Sequence, residues 1–501
     1  QITVVMISML LFMHNRATNT FQMVIGIFLS SSGASKQIIG VCNSIGLSVS
    51  YQTIQRALKT LTIDATARAR RFITEAHRIW AVVYDNINFT WRKYSQRLDS
   101  KTDQVNMTTS AVIGLPKAYT YDKYQAGLSV VEKNKQAGKR SELTLQSLFP
   151  DRNVHHQLEQ AFEHAVRGIM LHHVPGFEQR KKGRIQRIWR KFRETKPVVR
   201  PLLGAAEKTE FFPLPAIHQE EASVRGTLKV VEKIFVGVLD LVEAVVGREI
   251  RLLIGDWLTI RNLRLMKEER TDEDEGFSRM DWVQEAAMPF HFQLNAMYML
   301  VRTHLGFVGD NNSSSLDHHR TILRRRKLDT KKPEYNTARE LVEHSLIARV
   351  VDCVRYVVSD YATTRKAAAA FDGGDHVLAH SILFIRDALT FWEFAEAIRD
   401  EDAGRMWTIY NFWVFMFRGA GCHNYGNEIL EMKAQMEHEL PPLLRDMVER
   451  TWLVNRWGSQ GRGIPTDLYL EHNNGFTKVS EFDTQMTQHF IVTTEYDRSA
   501  R

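Results

Sequence analysis

The stretch Ile79-Trp-Ala-Val-Val-Tyr84, followed at once by Asp85-Asn86, decides the fold class. An unbroken apolar run this short, rich in β-branched and aromatic residues, suits a strand covered on both faces, and it predicts that the strand stops at Asp85-Asn86. Glu249-Ile-Arg-Leu-Leu-Ile254 repeats the pattern and stops at Gly255-Asp256. Asn106 to Ile113, with Thr108, Thr109, Val112 and Ile113, reads as a neighbouring strand closed by Gly114 and Pro116. Active sites of open α/β sheets gather at the carboxyl ends of strands, where the loops leave a crevice. If the two runs are parallel neighbours, Asp85 and Asp256 converge although 171 positions separate them.

Outside these runs the pattern is helical. Ile2–Met13 and Phe21–Leu29 are apolar stretches too short to span a bilayer, which needs about 20 residues. They lack the basic flank and small-residue cleavage site of a signal peptide, so both read as core helices. A chain that opens on Gln1 points to a missing start. Ser35 to Ile45 has helical spacing and ends at Gly46, after which Ser48 or Ser50 caps a helix with an apolar face of Ile54, Ala57 and Leu58. Helix, glycine turn and helix outline a helix-turn-helix with Gln52, Gln55, Arg56 and Lys59 outward, or a helical hairpin that reads nothing. Beyond Ile254 the chain reads as almost entirely helical, with an acidic loop (Asp272 to Glu275) and a link at Gly309–Ser315.

Composition narrows the class. Of 501 residues 44% are apolar and a quarter charged, which excludes disordered and low-complexity chains. Cys42, Cys353 and Cys422 are far apart and odd in number, which excludes a disulfide framework and a C-x-x-C zinc site and suits a reducing compartment. No P-loop, nucleophile elbow, dinucleotide fingerprint or H-E-x-x-H is present, so kinase, serine-hydrolase and dehydrogenase chemistry have no support. No internal repeat is visible.

Two aspartates at adjacent strand ends repel, and one pKa rises unless a counter-charge intervenes. Hard oxygen ligands select Mg²⁺ or Mn²⁺, and a pair of such ions about 4 Å apart clamps both oxygens of a phosphodiester displacement. That geometry calls for a third carboxylate. Gly463-Ile-Pro-Thr-Asp467-Leu-Tyr-Leu-Glu471 supplies two candidates four residues apart on one face of a helix that starts near Pro465-Thr466, with Lys478 two turns beyond Glu471. The bland reading of each acid is a turn, a cap or a solvated side chain.

Cations cluster in two places. The first run, Arg180 to Arg200, includes Arg184, Arg187, Arg190 and Lys191, with Trp189 and Phe192 interleaved; the second holds Arg320, Arg324, Arg325, Arg326, Lys327, Lys331 and Lys332. Such runs match a phosphate backbone, and equally a solvated face or a nuclear-import signal, and the net charge of +8 stays modest because acids elsewhere offset them. The histidine pairs at 155–156, 172–173 and 318–319 point to different helix faces and chelate poorly. His291 in an apolar helix reads as a core histidine bonded to backbone.

Taken together, Phe28-Leu-Ser-Ser-Ser-Gly-Ala34, Gly46-Leu-Ser-Val-Ser-Tyr51, Val83-Tyr-Asp-Asn86, Gly255-Asp-Trp-Leu-Thr259, Asn424-Tyr425 and Asn455-Arg-Trp-Gly458 resemble a fungal family of uncharacterised proteins, a domain of unknown function associated with transposable elements. Such proteins are similar to DDE-type transposases with a ribonuclease H-like core. The resemblance spans roughly residues 2 to 480 and implies a nuclear, Mg²⁺- or Mn²⁺-dependent DNA strand-transfer site of Asp85, Asp256 and Glu471, with Asp467 competing for the third place. It departs from that pattern in the long separation of the first two acids and in His423, where a more basic residue is expected.

The expected architecture is therefore an α/β, ribonuclease H-like mixed sheet with large helical insertions. Residues 1–75 form a helical N-terminal region and 76–260 the first part of the core, with a basic helical insert near 118–247. Residues 261–450 form a helical insertion, and 451–501 return to the core with the third acid. The expected function is transposase-like cleavage and joining of DNA, in an active enzyme or a decayed copy. The alternatives are a non-catalytic DNA-binding or scaffolding descendant and a simple nuclease. Lys478, both basic runs, Gln52 and Arg56 are the expected DNA contacts; no membrane partner is expected, and self-association is left open.

Overall fold

Among the described residues a mixed sheet of five strands forms the centre: β1 (Trp80–Trp91), β2 (Asp103–Gly114), β3 (Glu210–Pro213), β4 (Arg251–Gly255) and β5 (Val283–Ala287), in the spatial order β3-β2-β1-β4-β5. The first three are antiparallel neighbours, whereas β4 and β5 run parallel to β1. The computed structural model describes residues 2–75, 77–91, 103–177, 183–274, 276–307, 312–355 and 372–481.

The longer helices are α1 (Ile2–His14), α2 (Thr20–Ser31), α3 (Lys36–Ser44), α4 (Tyr51–Glu75), α5 (Arg152–His173), α6 (Gly183–Glu194), α7 (Val224–Glu232) and α8 (Trp257–Glu269). They continue with α9 (Pro289–His304), α10 (Tyr335–Arg355), α11 (His376–Arg399), α12 (Ala403–Gly419), α13 (His423–Ala434) and α14 (Thr466–Glu481). Among the described residues none is long and apolar enough to cross a membrane, and the three cysteines are free.

The apolar runs of β1 and β4 are buried at the centre of the sheet, from Ile79 through Tyr84 and from Leu252 through Ile254. Helices α7, α8 and α9 pack near them, and α11 and α12 extend the same core through Phe384, Phe394, Tyr410 and Trp413. A smaller core of Phe12, Ile39, Val49, Tyr51 and Ile54 holds the N-terminal helices together.

Several expectations need correction. β1 does not stop at Asp85-Asn86; it continues to Trp91 because β2 matches it residue for residue, from Trp80 opposite Gly114 to Trp91 opposite Asp103. β4 accompanies it only through Ala81, Val82 and Val83, so beyond Val83 its other edge has no β4 partner. The chain after Ile254 is almost entirely helical as expected, but it also carries β5, which closes the sheet, and Leu453–Val454 paired with Ile464–Pro465. α1 is a helix but not a core helix: Phe12 is its buried residue, and Ile2 and Leu10 are largely exposed. The link expected at Gly309–Ser315 lies partly outside the described residues, and Ser315 caps a short helix, Leu316–Ile322.

Ser50 rather than Ser48 bonds the first turn of α4, through Thr53 N. The helix–glycine turn–helix outline is present, with Gly46 in the left-handed region at φ 76° where a side chain is disfavoured. Gln52, Arg56 and Lys59 are exposed on α4, while Gln55 is half-buried.

Candidate acidic site

The site lies at the carboxyl ends of the parallel strands. The last rung between β1 and β4 pairs Val83 with Ile254, and each aspartate lies two residues further on, Asp85 within β1 and Asp256 at the cap of α8. The antiparallel extension thus gives Asp85 a place inside a strand while leaving its β4 side open. Asp256 leaves β4 because its carboxylate accepts Thr259 N at 2.8 Å, turning the chain into α8. β5 ends one rung away and enters α9 through Met288 and Pro289, placing His291 at the same edge.

α14 crosses this edge against β1 and α9. Its residues Asp467, Glu471 and Asn474 fall on one helical face, as three- and four-residue spacings require. Asp467 is buried and accepts three bonds from α9: from Phe290 N at 3.3 Å, His291 N at 3.2 Å and His291 Nδ1 at 2.9 Å. It caps a helix, as its bland reading had it, but the helix is α9 and not its own. Glu471 lies 3.5 Å from Nε2 of the same imidazole. One turn further, Asn474 accepts from Thr109 Oγ1 at 2.8 Å, which aims its amide at Asp85 Oδ2, 3.4 Å away. His291 is therefore a site residue, a correction to its reading as a core histidine bonded to backbone.

A fifth carboxylate went unnoticed in the sequence. Glu221 lies two residues before the serine that caps α7, and it is 2% exposed. Its Oε1 accepts from Thr259 Oγ1 at 2.9 Å, its backbone N–H donates to Asn86 Oδ1 at 3.4 Å, and Oε2 has no partner. Tyr84, next to Asp85, is fully buried with an unpartnered hydroxyl. The signal for Glu221 was weak: it sits in a loop, in Gln-Glu-Glu-Ala-Ser, with no strand or helical period to aim it.

Electrostatics show that these groups sense one another. Burial pushes the Asp85 carboxyl up to about 7; the Asp256 and Glu471 charges add to the rise and His291 opposes it. Burial, Asp256 and Asp85 push Glu221 up to about 8. Burial alone would lower the His291 pKa, but the bond to Asp467 and the charges of Asp467, Glu471 and Asp256 raise it to about 9. At an effective dielectric near 20, a like charge about 6 Å away costs roughly 3 kcal/mol, so this edge cannot carry all its carboxylates ionised against one imidazolium.

As they stand, the side chains do not form a ready chelate: among the described residues no group of three or more His, Cys, Asp or Glu is arranged to hold a metal ion. The donor chemistry nonetheless suits a hard divalent cation, since the oxygens include a buried, unpartnered Glu221 Oε2 and the Asp85 carboxyl, two groups whose pKa values are raised by burial and then by neighbouring acids.

Of the expected site residues, the structure thus gathers Asp85, Asp256 and Glu471 around one edge and assigns Asp467 to holding α9. Lys478 lies in α14, with its side chain outside the described residues. Arg184, Arg187, Arg190 and Lys191 are exposed on α6, Arg324 is exposed and Arg325 half-buried after the short helix, and residues 180–182 of the first run lie outside the described residues. Gln52 and Arg56 belong to the separately cored N-terminal helices.

The model of a family of unknown function, DUF6589, matches residues 137–366 and 355–494. No curated protein and no solved structure matches the chain.

Proposed function

The chain therefore belongs to the DUF6589 family, a family of unknown function, and we propose from the site itself that it is a transposase-like protein that cleaves and joins DNA with divalent metal ions. The observation that carries the reading is the meeting of Asp85, Asp256 and Glu471, remote in sequence, at the carboxyl edge of the sheet. The strand order, with three antiparallel strands followed by two parallel to the first, is the arrangement expected of a ribonuclease H-like core and supports that finer fold reading.

Asp85, Asp256 and Glu471 would hold the ions, with Glu221 beside them. Mg²⁺ or Mn²⁺ bound there would activate the attacking oxygen and stabilise the leaving one. The remaining roles fall to side chains of the chain. Asn474, fixed by Thr109, orients Asp85; His291, fixed by Asp467 through Nδ1, presents Nε2 towards Glu471. The reaction is an in-line displacement at phosphorus: water, then a DNA 3′-hydroxyl, forms the new P–O bond as the 3′-oxygen leaves. Surface cations would position the backbone without specifying sequence. A DNA partner would put the protein in the nucleus.

The test is Mn²⁺-dependent nicking of end-labelled duplex. It is expected in the wild type and absent in Asp256→Asn and Glu471→Gln, and wild-type protein that binds DNA but never nicks it defeats the catalytic reading. One observation favours a non-catalytic DNA-binding or scaffolding protein, namely the absence of a ready chelate among the described residues. On that reading Asp256→Asn leaves every DNA-dependent property intact.

A further inference from the structure

We infer that the two basic segments, about 140 positions apart in the sequence, form one continuous strip that begins beside the acidic cluster, and that its occupant is the backbone of duplex DNA. The proposal rests on the reading above only for its choice of partner.

Four contacts and one electrostatic influence trace the strip. Phe290, next to His291, packs edge-on against Tyr335 with ring centroids 5.6 Å apart, so α10 starts at the acidic cluster. The basic segment leads into α10 from the other end of α9, where Arg302, about 16 Å beyond His291 along the helix, donates to the Lys331 carbonyl at 3.3 Å. Nine residues along α10, about 14 Å at 1.5 Å per residue, His344 Nδ1 meets the Arg325 guanidinium at 2.7 Å. His344 in turn is felt by His173 at the end of α5, a helix that packs against α10. Finally the neighbouring His172 sets its ring edge-on to Trp189 of α6 at 4.9 Å. The order is therefore acidic cluster, segment 320–332, histidines, α6.

The chemistry of the strip argues for a duplex. On α6 the aromatic residues turn inward: Trp189 is buried and bonds the Phe177 carbonyl at 2.9 Å, and Phe192 stacks on His164 at 4.2 Å. Cations thus face solvent on a helix fixed from beneath, without the stacking platform that single strands require. Arg320, Lys196 and Arg200 are paired with Asp317, Asp400 and Glu449 and are not counted in the strip; beside the remaining cations the pairs are weak, as in Arg190–Glu194 and Arg325–Glu340, both at 3.7 Å and open to solvent on at least one side. Fixed, solvated cations spread over more than one helical length suit a duplex, which offers a phosphate every ~1.7 Å of its axis and releases a counterion for each one neutralised.

The experiment uses the full chain, with fluorescence anisotropy of a labelled duplex of about 30 base pairs across a salt series. The variant Arg184→Gln/Arg187→Gln/Arg326→Gln/Lys327→Gln changes exposed side chains only. Binding is expected to weaken about 30-fold, and the slope of log affinity against log salt to become shallower by about three. Each pair of substitutions alone is expected to show part of the loss, because both segments touch one duplex. Affinity within twofold of wild type with an unchanged slope overturns the strip, as does tighter binding of single-stranded DNA, RNA or polyglutamate than of duplex. Asp256→Asn separates the two proposals. If it loses nicking but keeps salt-dependent affinity, both stand; if it nicks like wild type, the catalytic reading falls and the strip survives.

Discussion

Asp467 Oδ2 accepts the Nδ1 proton of His291 at 2.9 Å, joining residues 176 positions apart. The same carboxylate satisfies two of the N–H groups that the start of α9 would otherwise leave unpaired. Removing it deletes a helix cap and leaves an imidazolium among fewer compensating charges. Asp467→Ala is expected to cost about 3 kcal/mol, from a cap worth roughly 1 and the larger penalty of breaking a buried ionic pair. Asp467→Asn, which can still cap, is expected to cost less. Urea unfolding measures both, and a loss under about 0.5 kcal/mol for the alanine variant contradicts this role.

The pH dependence of stability follows from the raised pKa values. Asp85 and Glu221 titrate near 7 and 8 in the folded protein, above ordinary carboxylates, so between about pH 4 and 8 the folded state holds more protons than the unfolded state. Their contribution is complete below the ordinary carboxylate range and is lost as pH rises through 7 and 8. His291, raised to about 9, has the same sign: its contribution is full below the ordinary imidazole pKa and is lost as pH passes 9. Lys133, lowered to about 7, and His164 and His319, lowered to about 4, all chiefly by burial, act with the opposite sign. The contribution of this edge is therefore read as a difference: the melting temperature of metal-free wild type relative to Asp85→Asn is expected to fall from about pH 5 to pH 8, and a difference that rises over that interval contradicts the assignment.

How much of this was legible in the sequence depends on what each residue had to announce. The runs at Ile79–Tyr84 and Glu249–Ile254 declared themselves because a strand buried on both faces is apolar where it is covered, here from Ile79 to Tyr84 and from Leu252 to Ile254. Asp85 and Asp256 followed because they end those runs, although the end at Asp85 is the loss of β4 and not of the strand. β5 was hidden because Val283-Gln-Glu-Ala-Ala287 carries a buried charge. Glu285 is tolerated there only because Arg264, Lys267 and Gln435, on other elements, converge on it. His291 and Glu221 were hidden for a related reason: their meaning lies in partners on other elements, which no local period reports.

Glu285 gives a sharp test of that explanation. Burial would raise its pKa, but Lys267 and Arg264 hold the carboxyl well below the usual range. Arg264 also forks onto Glu428 at 2.7 and 2.8 Å. Glu285→Ala would leave Lys267 and Arg264 short of charge inside the fold, at an expected cost of about 3–5 kcal/mol. A cost below about 1 kcal/mol by chemical denaturation shows that the network is not what keeps β5 in the sheet.

Added divalent ions offer a direct reading of the charge deficit. An ion that binds the folded chain alone stabilises it by mass action, about 2.7 kcal/mol at a hundred times the dissociation constant. Because the carboxyls must lose protons to bind it, Mn²⁺ is expected to raise the melting temperature more at pH 8 than at pH 5.5. Equal shifts at both pH values, or none, would remove the argument that Asp85 and Glu221 await a cation.

Glu221→Gln separates structural strain from metal binding within one side chain. In the wild type at pH 8 the group is close to half ionised, with Oε2 unpartnered and the Asp85 and Asp256 charges acting on it. The amide removes that charge and aims a donor N–H₂ where the lone oxygen stood, while its carbonyl can still accept from Thr259. The metal-free variant is therefore expected to melt higher than wild type at pH 8, with the advantage fading at pH 5, where Glu221 is already protonated. In the presence of Mn²⁺ the order is expected to reverse, because the variant gives up a hard anionic oxygen beside the ions. A variant that is less stable than wild type without metal, yet gains as much from Mn²⁺, would show that Glu221 is a packing element and no part of the site.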